Sequence, residues 1–295
     1  MRRRSRSEGP EGSAKSDTKT LLLHVGLPKV ASTTLQLGLF DQHLEMASIH
    51  HLSKDDEKKE IAEFAGSFFR QEEAPSRGVR AAAYTRMHRL LDSHQSLVVS
   101  NEGFTTSWRR KVLAVRLFAD EFLQSEKNAP ILPRVLVLHR PFEEFLWSAY
   151  VQACFHEEPE APILSYRAWA QELVQEAERR NGRLRVGDMA HAYARWFGAE
   201  NVLVVELSSL AQRPVATYQT ICCFAGARSD TSLFEALAGG RVHNSWQYKL
   251  RKKPELKERL ENLRAEGLSD QMLARLSEIE GQQLTKLKRS GVRMV

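Results

Sequence analysis

The chain has 295 residues, a formal net charge of +6 and 42% hydrophobic residues, enough for one large core or two small ones. No apolar run reaches the roughly 18 residues of a transmembrane helix, so no membrane span is expected. The three cysteines, Cys154, Cys222 and Cys223, form no CxxC pair, which argues against a disulfide framework and a zinc site and fits a reducing cytoplasm.

The charge is unevenly spread. Residues 1–19 carry six Lys/Arg against three Asp/Glu, and residues 249–295 carry twelve against seven, which leaves 20–248 near −2. A body of that charge is not expected to bind nucleic acid. Residues 1–19 read as a disordered basic tail, since no apolar stretch follows the charges as a secretory signal requires.

Thr20–Val25 is the first strand. The following Leu21 to Leu35 stretch, LLLHVGLPKVASTTL, runs from strand through a tight turn into a helix start. Ala47–Leu52 is a less apolar strand candidate, with His50 and His51 read as part of a polar turn. A helix is expected over Ser53–Arg70, with Ser53 as N-cap and Ile61, Phe64, Phe68 and Phe69 at helical spacing. Another covers Ala81–Ser93 and leads into the strand Ser96–Ser100. Trp108–Leu123 leads toward the strand Arg134–His139, which the helix Pro141–Cys154 follows directly, with proline in its first turn. Helices Tyr166–Arg180 and Gly187–Phe197 precede the strand Asn201–Glu206, and the helix Pro214–Phe224 follows it. Each strand is a continuous apolar run, the pattern of strands buried on both faces. This alternation predicts an α/β fold with a central, mostly parallel sheet. After Lys249 two charged amphipathic helices are expected, with apolar faces at Leu256, Leu260 and Leu263 and at Met272, Leu276 and Ile279. The organisation is therefore a tail (1–19), an α/β domain (20–248) and a C-terminal helical extension (249–295).

Ligands of such sheets sit outside the C-terminal ends of the strands. The turn after the first strand carries Lys29, and Ser32, Thr33 and Thr34 open the next helix, whose N–H groups and dipole favour an anion. It is not a Walker A loop, because no Gly-Lys pair exists. The plainer reading is an ordinary turn with a lysine in it. Arg140 stands just past the third long strand, and Ser148 follows eight residues later, about two helical turns on. An arginine fork with a hydroxyl makes a phosphate clamp. The plainer reading here is an ion pair between Arg140 and Glu143 or Glu144.

Together these segments resemble the sulfotransferase superfamily that uses 3′-phosphoadenosine 5′-phosphosulfate (PAPS). Pro28-Lys29-Val30-Ala31-Ser32-Thr33-Thr34-Leu35-Gln36 is similar to the family's 5′-phosphosulfate loop, with Val30-Ala31 where Thr-Gly is usual. Arg140 and Ser148, followed by Ala149-Tyr150-Val151-Gln152, are similar to its 3′-phosphate motif. The resemblance covers 20–248 in outline and implies a P-loop-like three-layer fold. It implies PAPS as donor, with no metal. Lys29, Val30, Ala31, Ser32, Thr33 and Thr34 would hold the 5′-phosphate, and Arg140 and Ser148 the 3′-phosphate. Lys29 would also neutralise charge on the leaving oxygen.

The acceptor would be a hydroxyl, by analogy on a carbohydrate or glycolipid. Glu102, just after the second long strand, is the candidate general base, and His139 the second choice. The plainer reading of Glu102, placed second, is a cap or a partner of Lys29 or Arg140. His24 reads as a core or sheet-edge residue, and Trp147 and Trp196 as core aromatics. Asn244 and Ser245 fall where some members place a late loop over the nucleotide, while Lys249, Arg251, Lys252 and Lys253 read as a solvated basic stretch or as anion ligands. The C-terminal helices either cap the acceptor groove or form a homodimer interface. Two alternatives stay open: a P-loop nucleotide kinase or NTPase, and a sulfotransferase-fold binding protein without turnover, the latter resting on Ala31.

Overall fold

The computed structural model describes residues 18–26, 32–70, 76–101, 108–125, 130–156, 165–179, 184–239 and 254–295. Five strands lie close to the expected ones: β1 (Lys19–Gly26), β2 (Met46–Ile49), β3 (Ser96–Asn101), β4 (Ile131–His139) and β5 (Val202–Glu206). A sixth, β6 (Arg293–Met294), was not expected. They form one sheet of order β2-β3-β1-β4-β5-β6, and every pairing is parallel.

The strands are apolar along their length because both faces are covered. Leu21, Leu22, Leu23 and Val25 of β1 are fully buried, as are Val135, Leu136 and Val137 of β4. Each such side chain contributes about 1.5–3 kcal/mol by leaving water. One helical layer consists of α2 (Asp56–Arg70), α3 (Arg77–Asp92), α4 (Trp108–Ser125) and α7 (Val186–Phe197). Another consists of a π-helical turn, Leu35–Phe40, continuing the short α1 (Ser32–Thr34), together with α8 (Leu207–Gln212), α9 (Pro214–Ala225) and α10 (Thr231–Gly239). Among the described residues no helix is long and apolar enough to cross a membrane. The three cysteines form no disulfide.

Three expectations need correction. Ser53 does not cap α2; Asp55 does, its Oδ1 accepting the Lys58 N–H at 3.1 Å, while Ser53 accepts from Asp55. A carboxylate at the cap also favours the positive end of the helix dipole. His50 is fully buried rather than part of a polar turn, with Nε2 3.0 Å from Asp41 Oδ1; His51 alone is exposed. Trp196 is 39% exposed in the last turn of α7, where the Arg116 guanidinium lies 5.3 Å over its ring. Stacking under a cation gives an aromatic ring a place at the surface.

The C-terminal segment forms the two expected helices, here α11 (Pro254–Glu266) and α12 (Asp270–Arg289). α5 (Phe142–His156) and α6 (Tyr166–Glu178) complete the helical set described. α12 packs on α5, α6 and α7, and burial of Leu276, Ile279 and Leu287 seats it there. The chain then turns back so that β6 runs along β5, with the Val295 N–H on the Val204 carbonyl at 3.0 Å.

Contact between α7 and α12 depends on Gly187. A Cβ there would stand 2.2 Å from the Gln283 carbonyl oxygen, a backbone atom that cannot swing aside. Replacing glycine by alanine in a helix ordinarily gains up to about 1 kcal/mol. Here the clash is expected to win, and Gly187→Ala should lower stability by about 3 kcal/mol. Denaturant unfolding of the variant tests this; an unchanged midpoint would mean that the two helices are free to part.

Candidate active site

β1, β3 and β4 run parallel and end together. Val25 pairs with Asn101, and Gly26 with Leu138, so the segments after Gly26, Asn101 and His139 leave from one edge of the sheet. Lys29, Val30 and Ala31 follow Gly26, and Glu102 follows Asn101; these four lie outside the described residues, as do Asn244, Ser245, Lys249, Arg251, Lys252 and Lys253. Ser32, Thr33 and Thr34 form α1 at that edge. Thr33 and Thr34 are half-buried, and Thr34 Oγ1 is a buried polar atom without a hydrogen-bond partner.

Beneath α1 lies a buried polar link. Ser100 Oγ accepts from Gln36 Nε2 at 2.8 Å and shares a 2.6 Å hydrogen bond with His24 Nδ1. The link joins β1, β3 and the π-helical turn within a few residues of Lys29 and Glu102. π-helical turns recur at functional sites, where the extra residue re-aims side chains. Burial, with the nearby His50 as a lesser cause, lowers the His24 pKa to about 3, so this imidazole is neutral. His24 is therefore a core residue at the sheet edge, as expected.

Arg140 follows β4, and α5 begins two residues later. Arg140 and Ser148 line one cleft of about 530 Å³, together with Glu143, Glu144, Trp147 and Tyr166. The ion-pair reading of Arg140 holds for Glu144. Its Nε lies 3.5 Å from Glu144 Oε2 as an ion pair, yet that nitrogen is buried without a hydrogen bond. Burial pulls the guanidinium pKa down, and Glu144 partly offsets this. A desolvated arginine facing a cleft favours an anion that completes its hydrogen bonds.

The parallel sheet and its flanking helices have a counterpart among solved structures. A sulfotransferase from Alicyclobacillus acidocaldarius superposes with a TM-score of 0.54 at 15% identity, over 93% of this chain and 96% of that one. The chain has the sulfotransferase fold. The sulfotransferase domain of the Synechococcus PCC 7002 olefin synthase matches at a TM-score of 0.47 and 14% identity, over 92% of this chain and 98% of that one. No family model matches the sequence, and no curated protein does.

In this sulfotransferase fold the C-terminal helices reach the cleft, which sequence reasoning left open. Arg264, near the end of α11, lines it beside Arg140, and its guanidinium sits 5.3 Å over the buried Trp147 ring. Glu280 of α12 accepts the Phe142 N–H at 3.1 Å and so caps α5, the helix that carries Ser148. Burial, the largest cause, raises the Glu280 pKa. Nothing in the sequence marked Arg264 or Glu280, because both sit in stretches that read as solvated charge.

His139 is buried 3.8 Å from Glu280, edge-on to Phe142. Burial lowers its pKa to about 4, with Glu206 opposing, so it is neutral.

Proposed function

We propose that the chain is a sulfotransferase that moves a sulfuryl group from PAPS to an acceptor hydroxyl. The observation that carries this is the convergence of Arg140 and Ser148 on one cleft at the sheet edge from which the Lys29 loop leaves. The residues fit a phosphate-bearing group: Arg140 Nε and Thr34 Oγ1 are buried and without hydrogen-bond partners, and Arg264 adds a second guanidinium to the cleft.

Arg140 and Ser148 would hold the 3′-phosphate. Lys29, the hydroxyls of Ser32, Thr33 and Thr34, and the backbone N–H groups from Ala31 onward would hold the 5′-phosphate. When bound, PAPS supplies a sulfur whose bond to the bridging phosphate oxygen breaks as one to the acceptor oxygen forms. Lys29 would neutralise the charge left on the bridging oxygen, and Glu102 would take the proton of the acceptor hydroxyl. Val30 and Ala31 would contribute backbone only.

Residues 20–248 would form the catalytic body, 1–19 a tail, and 249–295 an extension that adds Arg264 to the cleft. The acceptor we favour is a carbohydrate or glycolipid. Cysteines without disulfides support a reducing, cytoplasmic setting.

Transfer of labelled sulfate from PAPS to a panel of glycans and glycolipids tests the reading. Lys29→Ala should lower turnover about 1,000-fold, the scale of removing one group that stabilises transition-state charge. Turnover near the wild-type rate in Lys29→Ala would overturn this role.

A further inference from the structure

A second cleft, of about 470 Å³, lies between the start of α4, the end of α6, the start of α7 and the middle of α12. α4 follows β3 and α7 precedes β5 in a parallel sheet, so both helices begin at the strands' C-terminal edge. Ile279 and Gln283 of this cleft flank Glu280, which meets His139 and Phe142 at the end of β4. Both clefts therefore share the edge where the Lys29 and Glu102 segments emerge.

Four cations line it, Arg109, Arg185, Arg275 and Lys286, against two carboxylates, Glu178 and Asp188. Both carboxylates are already engaged. Asp188 lies 2.6 Å from Arg185 Nε and accepts from Lys286 and Gln283; Glu178 accepts from Arg275 at 2.6 Å. Burial would raise the Asp188 pKa, but these partners outweigh it and hold the carboxyl below its usual value, so its charge is spent inside the protein.

Arg275 also donates to Glu278, so three carboxylates answer Arg185, Arg275 and Lys286, and the cleft keeps a surplus of one positive charge, at Arg109. Surplus charge of one sign in a cleft concentrates ligands of the other. One wall is Trp108, whose Nε1 is a buried donor without a hydrogen-bond partner, and the exposed Arg109 stands 5.5 Å over its ring.

We propose that this cleft is the acceptor subsite, and that it takes an acidic sugar whose carboxylate meets Arg109 and whose ring lies against Trp108. The proposal rests on the sulfotransferase reading and narrows it. A transferase at this edge needs an acceptor hydroxyl, the surplus cation needs an anion, and an indole packs well against the C–H face of a polyhydroxylated ring. A neutral glycan would leave the surplus charge unmatched.

Calorimetry on the full chain tests it, with a glucuronate-containing hexasaccharide and its carboxyl-reduced counterpart, and with adenosine 3′,5′-bisphosphate titrated separately. The acidic sugar should bind at least 10-fold more tightly than the reduced one. Arg109→Glu, an exposed change, should weaken acidic-sugar binding at least 10-fold and leave bisphosphate binding unchanged. Equal affinity for the two sugars, or an unaffected Arg109→Glu variant, overturns the proposal. Acidic-sugar binding in a wild-type chain that does not bind the bisphosphate supports the cleft's preference for acids and removes the transferase reading. Bisphosphate binding without acidic-sugar binding keeps that reading and removes the subsite.

Discussion

Arg140→Ala is expected to bind adenosine 3′,5′-bisphosphate about 100-fold more weakly than the wild-type chain, the cost of two charge-assisted hydrogen bonds in a desolvated site. The guanidinium is half-buried, its Nε has no hydrogen bond, and it shares its cleft with Ser148 and Arg264. If Arg140 served only as the ion-pair partner of Glu144, removing either side chain would have the same effect. The cleft reading predicts opposite signs. Glu144→Ala takes a negative charge from the cleft and leaves the arginine unshared, so bisphosphate binding should hold or tighten. Calorimetric titration of the two variants decides between them. Mg-ATP bound in place of the bisphosphate would overturn the donor assignment and revive the kinase reading.

The second large effect is a loss of stability in mild acid. His24 and His139 are buried and neutral, with pKa values lowered to about 3 and about 4 from 6.5, chiefly by burial. Below pH 6.5 the unfolded chain takes up protons that the folded chain refuses, so stability falls as pH drops from 6.5 toward 4. At 1.36 kcal/mol per pKa unit, His139 alone accounts for about 3 kcal/mol across that window, and His24 for a similar amount. Together that is roughly half of a typical domain's stability.

Asp188 adds nothing in this window: its lowered pKa costs stability only below the ordinary value of 3.8. Glu280, with its raised pKa, works against the histidines by gaining a proton in the folded state first. Urea unfolding at pH 7 and pH 4.5 measures the loss. A His139→Gln chain should lose about half of the difference between the two midpoints, and equal pH dependence in variant and wild type would sink the assignment to His139.

Much of the scaffold was legible because its signals are local. The continuous apolar runs in β1, β3, β4 and β5 leave no polar face, so those strands had to be covered on both sides. The Arg140–Ser148 spacing and the hydroxyl run of α1 were visible for the same reason: each lies within one strand–loop–helix unit.

Other features depended on distant partners. β6 is two residues long and carries no strand pattern of its own; pairing with β5 makes it a strand. Trp196 faces solvent because Arg116, on another helix, covers its ring. His50 is buried because Asp41 answers it.

The sequence by itself therefore determined the parallel α/β sheet, the edge at which a ligand would sit and the candidates for anion binding there, since hydrophobic period and turn chemistry act over a few residues. Only the tertiary structure decided which charges of the C-terminal helices are solvated and which are drawn into tertiary contacts. The α7–α12 crossing at Gly187 and the apolar seat of Leu276, Ile279 and Leu287 carry Glu280 to the end of α5 and Lys286 to Asp188, and α11 brings Arg264 beside Arg140. Such contacts join residues about a hundred or more positions apart. Their charge pattern along the chain is that of any solvated helix, and packing alone distinguishes them.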